Sequence, residues 1–190
     1  MRRAIGCAAL ALVAVMLQIV LVDRWPLPGG SRPDITLVVV VVLGLTQGRI
    51  TGMLTGFSGG FALDLTPPAS HLIGEFALIF CVVGYGCGVL SGWLDGFAPR
   101  LVAALLAAGA GEVAVAATGM MVSDPGVTLA AARHLLPAAL LYDGLLCPVV
   151  LFFAVLASKR LAVRRATAGP VQPAHLRFRA GRAARTGGLR

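Results

Sequence analysis

Two of the eight carboxylates in this chain, Glu112 and Asp143, lie in the middle of long apolar runs. An ionised carboxylate in hydrocarbon is costly and normally turns toward a bundle interior or a polar cavity. Counted from Val122 and Leu135, the two stand ten and eight residues along their segments, about 15 and 12 Å at the helical rise. They are therefore expected at similar depth. Two neighbouring carboxylates resist being charged together. The pair is expected to face inward, with at least one member protonated at neutral pH and hydrogen-bonded to a polar group such as Tyr142, Gln18 or Thr118. A structural buried hydrogen bond and a switch tied to a partner both fit that placement.

Asp34 and Asp64 stand at the ends of apolar runs. Asp34 opens its run, where a carboxylate suits the positive end of a helix dipole, whereas Asp64 reads as a marker of the polar boundary. His71 and His134 come from separate loops, a poor basis for a metal site. The four cysteines, Cys7, Cys81, Cys87 and Cys147, fall in apolar runs without C-x-x-C spacing and read as small buried hydrophobes. No Ser-His-Asp set, phosphate loop or HExxH motif appears, so the expectation is a nonenzyme without a cofactor.

The elements that hold these residues follow from composition. Hydrophobic residues make up 58% and charged residues 13% of the chain, against about 45–50% apolar usage in soluble domains. Mean hydropathy is +0.89. This predicts an all-α integral membrane protein of about six transmembrane helices. The first covers Ala4 to Val22 and ends near Trp25, an interfacial aromatic. With no small-residue cleavage site after Val22, it reads as a retained anchor rather than a signal peptide. Two short helices, Ile35 to Thr46 and Ile50 to Leu63, are joined by a tight turn at Gly48; Pro67-Pro68 stops the second. The rest are expected over Leu72 to Ser91, Leu101 to Val122 and Leu135 to Ala157, the last kinked at Pro148.

The transmembrane domain is thus residues 1–158, followed by a basic, disordered tail over 159–190 that begins with Lys159, Arg160, Arg164 and Arg165. With six spans and the N-terminus inside, thirteen Lys and Arg residues fall on the cytoplasmic side and three outside, in keeping with the positive-inside rule. Both termini are expected in the cytoplasm. A net charge of +8 does not imply nucleic acid, because nine of the sixteen basic residues sit in one tail. The tail reads either as a latch on anionic membrane lipid or as a topology determinant. Arginine outnumbers lysine fifteen to one, and Ala, Gly and Val are abundant, which suggests a GC-rich bacterial genome and hence the inner membrane.

Glycines recur every four residues at Gly44, Gly48, Gly52, Gly56 and Gly60, and again at Gly84, Gly88, Gly92 and Gly96. Such a face lets another helix approach closely, within the bundle or from a partner protein. Arg32-Pro33-Asp34 opening an apolar run, a Gly48-Arg49 turn, Gly52, Gly56-Phe57, Gly60, Asp64-Leu65 and a proline-bearing loop before Gly74 together resemble the rod-shape-determining MreD family. The resemblance covers about residues 1–160. It implies a noncatalytic scaffold subunit of the peptidoglycan elongation machinery, partnering MreC and through it MreB, RodA and a class B penicillin-binding protein. It also implies a fold similar to the S components of energy-coupling-factor transporters. A small-molecule-binding S component is accordingly the alternative. The short second and third helices and the arginine-rich tail depart from the family pattern.

Overall fold

The central element is built from residues that propensity alone would send to a strand. Val38 to Val42 is an unbroken β-branched run, yet in the computed structural model, which describes residues 2–22, 32–66, 74–121 and 129–167, it lies inside helix α2 (Ile35–Gln47). Each valine in a helix costs a few tenths of a kcal/mol up to about 0.7 kcal/mol relative to alanine. Full burial of such a side chain returns about 1.5–3 kcal/mol, so burial wins. Ten consecutive residues, Thr36 to Leu45, are buried, and a helix apolar on every side belongs at the centre of a bundle.

Around α2 stand α1 (Arg2–Leu17), which continues as a π-helical turn over Gln18–Val22, then α3 (Arg49–Asp64), α4 (Glu75–Leu90), α5 (Phe97–Met121) and α6 (Leu129–Thr167). Among the described residues the protein is all-helical. The main core joins Leu37, Val41 and Leu45 of α2 to Phe80 of α4, Ala104 of α5 and Cys147 of α6. A smaller cluster sets Val39 and Leu43 against Ala14 of α1.

Small residues on three neighbours receive the branched side chains of α2. A Cβ built on Gly59 of α3 would lie 3.0 Å from Thr36 Cγ2, on Gly84 of α4 2.9 Å from Val40 Cγ1, and on Gly111 of α5 2.8 Å from Leu37 Cδ2. The α3–α4 seam is closer still. A Cβ on Gly52 would land on the Gly84 carbonyl, on Gly56 on the Phe80 carbonyl, on Gly60 on the Phe76 carbonyl, and on Gly88 on the Arg49 backbone. Gly44 of α2 joins the same seam, its added Cβ falling 2.6 Å from the Gly84 oxygen. The glycine face is therefore occupied by the chain's own helices. Not every glycine of the two ladders belongs to it. Gly48, at φ 94°, makes the sharp α2–α3 turn that a side chain would strain, and Gly92 and Gly96 sit in the α4–α5 connection.

Helix ends differ from the sequence expectation where the effect of a residue depends on its position in the helix. Helix α5 starts at Phe97 rather than Leu101, because Pro99 falls in the first turn, where its missing N–H has no partner to lose. Helix α4 starts at Glu75, after Gly74 in the left-handed conformation. Helix α6 passes through both Pro137 and Pro148 and continues to Thr167, past the expected end at Ala157. Residues 158–167 hold good helix formers and no glycine or proline, and arginines near a C-terminus suit its dipole. The first part of the basic tail, including Lys159, Arg160, Arg164 and Arg165, is thus helical in backbone. Contacts divide the chain into residues 1–156 and 157–190. Trp25, Pro67-Pro68, His71, Leu72, Val122 and the tail beyond Thr167 lie outside the described residues.

Two helical segments, Phe97–Met121 and Arg133–Leu156, are long and apolar enough to cross a membrane. Their outer faces are apolar too, with Leu106, Val113, Leu141, Leu145 and Phe153 exposed.

The seam gives a direct contrast. Gly56→Leu forces backbone apart and should destabilise by about 3 kcal/mol or more. Ala107 borders an apolar cavity of about 220 Å³ between α4 and α5, so Ala107→Leu should cost under about 1 kcal/mol. Denaturation midpoints of the two purified variants against wild type check this, and equal midpoints would contradict the seam.

Candidate functional site

A helix leaves its first four N–H groups without intrahelical partners, and a buried end must find them elsewhere. The start of α2 is such an end: Pro33 and Thr36 are buried, and Asp34 and Ile35 are half-buried. Three polar side chains converge on it, one of its own and two from elsewhere in the chain. Asp34 Oδ1 accepts the Leu37 amide at 2.9 Å, an N-cap that matches the role its position suggests. From the π-helical turn after α1, Gln18 Oε1 accepts the Ile35 amide at 2.9 Å while its Nε2 donates to the Pro33 carbonyl at 3.1 Å. From α6, Asp143 Oδ1 accepts the Asp34 amide at 2.9 Å. The wide turn of a π-helix re-aims a side chain relative to an α-helix, and such turns recur at functional sites.

Asp143 points inward and is almost wholly buried, as its sequence position suggests, and Glu112 is half-buried beside it. The structure brings the two together: their carboxyl groups are in hydrogen-bonding contact, and Asp34 adds a third carboxylate facing Glu112. Of the expected polar partners, Gln18 reaches the same turn of α2, where it accepts the Ile35 amide. Thr118 lies elsewhere: its hydroxyl donates to Glu75 at the start of α4, tying the far end of α5 to α4.

Asp64 is not a boundary marker. It is almost wholly buried, and its two oxygens accept the Phe76 amide at 3.2 Å and the Ala77 amide at 3.0 Å. It therefore caps α4 from the end of α3, across a connection of ten residues. Sequence offers no signal for such a cap, because a local N-cap lies within three residues of the amide it serves. Arg32 is exposed just before this site, and His134 is exposed near the start of α6. Among the described residues no group of three or more His, Cys, Asp or Glu side chains is placed to hold a metal ion.

No family model, curated protein or solved structure matches the chain. The resemblance expected from the sequence is carried by residues between Arg32 and Gly74. Those residues are not scattered: Pro33 and Asp34 open α2, Gly48 turns it into α3, Gly52, Gly56 and Gly60 make the α3–α4 seam, and Asp64 caps α4.

Two caps of different origin should fail independently. Gln18→Leu strands the Ile35 amide and the Pro33 carbonyl and should cost about 2–5 kcal/mol, speeding hydrogen exchange at Ile35 but not at Ala77. Asp64→Leu should do the reverse. If either variant speeds exchange at both amides equally, the two caps belong to one cooperative unit and the assignment is wrong.

Proposed function

We propose that the chain is a noncatalytic subunit of the bacterial cell-wall elongation machinery, of the MreD kind, set in the inner membrane by six helices with both termini in the cytoplasm. The observation that carries this reading is the convergence just described. Residues from Pro33 to Asp64 that resemble the family meet along α2, α3 and the start of α4, and they act there as caps, a turn and a close seam. A family pattern made of packing residues suits a protein selected for its shape as a docking body.

The exterior supports membrane insertion. Leucine, valine and phenylalanine cover the outer faces of α5 and α6, as a bundle in lipid requires, since soluble proteins rarely expose apolar patches beyond a few hundred Å². Helices α2 and α3 are short for spans, but α2 is enclosed by its neighbours and meets little solvent of any kind. The overall arrangement is expected to be that of the S components of energy-coupling-factor transporters. With the glycine seam filled from within, MreC is left the outer helix faces and the outer loops. MreB, RodA and the class B penicillin-binding protein are reached through it. The basic residues from Lys159 onward are expected to hold anionic lipid at the cytoplasmic surface.

Two measurements test this. Copurification from membranes should recover MreC; recovery of an energy-coupling ATPase pair instead would favour the small-molecule carrier. Cysteines placed one at a time in the tail should resist a membrane-impermeant label in intact cells. External labelling would overturn six spans in this orientation.

A further inference from the structure

The two oxygens of Asp143 have different partners. Oδ1 accepts the Asp34 amide, while Oδ2 is sealed from solvent with no N–H or hydroxyl donor among the described residues. The group in hydrogen-bonding contact with this carboxyl is another carboxyl, that of Glu112 on α5. Two carboxylates are both acceptors and cannot hydrogen-bond; one bound proton makes one of them a donor. The contact is therefore complete only with a proton in it.

We propose that Glu112 and Asp143 form a proton-binding site, in which a single proton shared by the two carboxyls keeps the start of α2 seated on α6. From α2, Asp34 contributes a third carboxylate; along α6, Cys147 lies one turn from Asp143; from the π-helical turn after α1, the neutral Gln18 amide reaches this turn of α2. Arg32 precedes the site but is exposed, and no lysine, arginine or histidine lies within two turns of either carboxylate on α5 or α6. Loss of the proton leaves Glu112 and Asp143 both charged and in contact, with Asp34 adding a further negative charge nearby. The cheapest relief is for Asp143 to move away from Glu112, which takes Oδ1 off the Asp34 amide and frees the end of α2. The ligand is a proton, taken up and released without any other co-reactant.

Because the contact between the two carboxyls holds only with a proton in it, removing that proton with base unseats the start of α2 from α6. The unfolding constant therefore rises with pH, by up to about tenfold per pH unit while the folded protein holds one proton more than the unfolded chain.

The purified full-length protein tests this in two ways. Its infrared spectrum at neutral pH should show the carbonyl stretch of a protonated carboxylic acid, lost on titration with base and absent in Glu112→Gln. In mixed micelles its unfolding constant should rise with pH, whereas Glu112→Gln, whose amide donates to Asp143 at every pH, should be nearly flat. Absence of the band in wild type, a band unchanged by Glu112→Gln, or an equal pH slope in both proteins would each overturn the proposal. Should Glu112→Gln fail to fold, the wild-type band at neutral pH decides alone: present it supports the shared proton, absent it overturns it.

Discussion

The start of α2 must have its amides satisfied without water, and much of the molecule is arranged around that requirement. Leaving a buried amide unpaired costs about 1–3 kcal/mol, and three of them are met here by side chains from three segments of chain: Asp34 itself, Gln18 behind α1 and Asp143 on α6. The result is more than local capping. A bond from α1 and a bond from α6 to adjacent residues of α2 fix the first and last helices to the central one. Apolar contacts could supply attraction but not this register, because dispersion is tolerant of sliding and hydrogen bonds are not. The start of α4 repeats the solution, with Asp64 at the end of α3 accepting two of its amides.

A second constraint acts on the other side of α2. The branched side chains of Thr36, Leu37 and Val40 need room, and glycines on α3, α4 and α5 give it. Where α3 meets α4 there is no side chain between the backbones at four successive turns, Gly60, Gly56, Gly52 and Gly88 each facing main-chain atoms. Contact this close makes up in dispersion what the seam lacks in apolar area. It also leaves the seam intolerant of any added methyl group, whereas the α4–α5 side, which keeps a cavity, is loosely filled. Tight and slack packing thus sit on adjoining faces of α4.

Local patterns in the sequence carry much of this. Apolar runs bounded by glycine and proline place all six helices, and a four-residue glycine period finds the seam, because both signals are written within one helix. Ends were less legible where a residue has two allowed roles: Pro99 stops a helix in general but not in its first turn, and Gly48 shares the glycine spacing yet serves as a turn. Contacts between distant residues were legible only in part. The depth of Glu112 and Asp143 along their helices was enough to bring them together, since helical rise is regular. That Asp64 would cap α4, that Thr118 would pair with Glu75, and that Gln18 would hold the start of α2 depended on which helices are neighbours and how they face. No single-helix pattern records that.

Helix length links these features. Helix α2 has 13 residues and α5 has 25, about 20 and 37 Å at the helical rise. A short helix at the centre of longer ones must have at least one end below the level of its neighbours' ends. Glu112 stands nine residues before the end of α5, about 14 Å along the helix, and it is there that the start of α2 meets the Asp143 carboxyl. The polar residues in the middle of apolar helices are therefore placed where the short helix begins. Extending α2 upward by a turn or two would carry its free amides away from Asp143 and leave both carboxyls facing each other without a backbone donor. The depth of the carboxyl pair and the shortness of α2 are two aspects of one arrangement, and neither could change without the other.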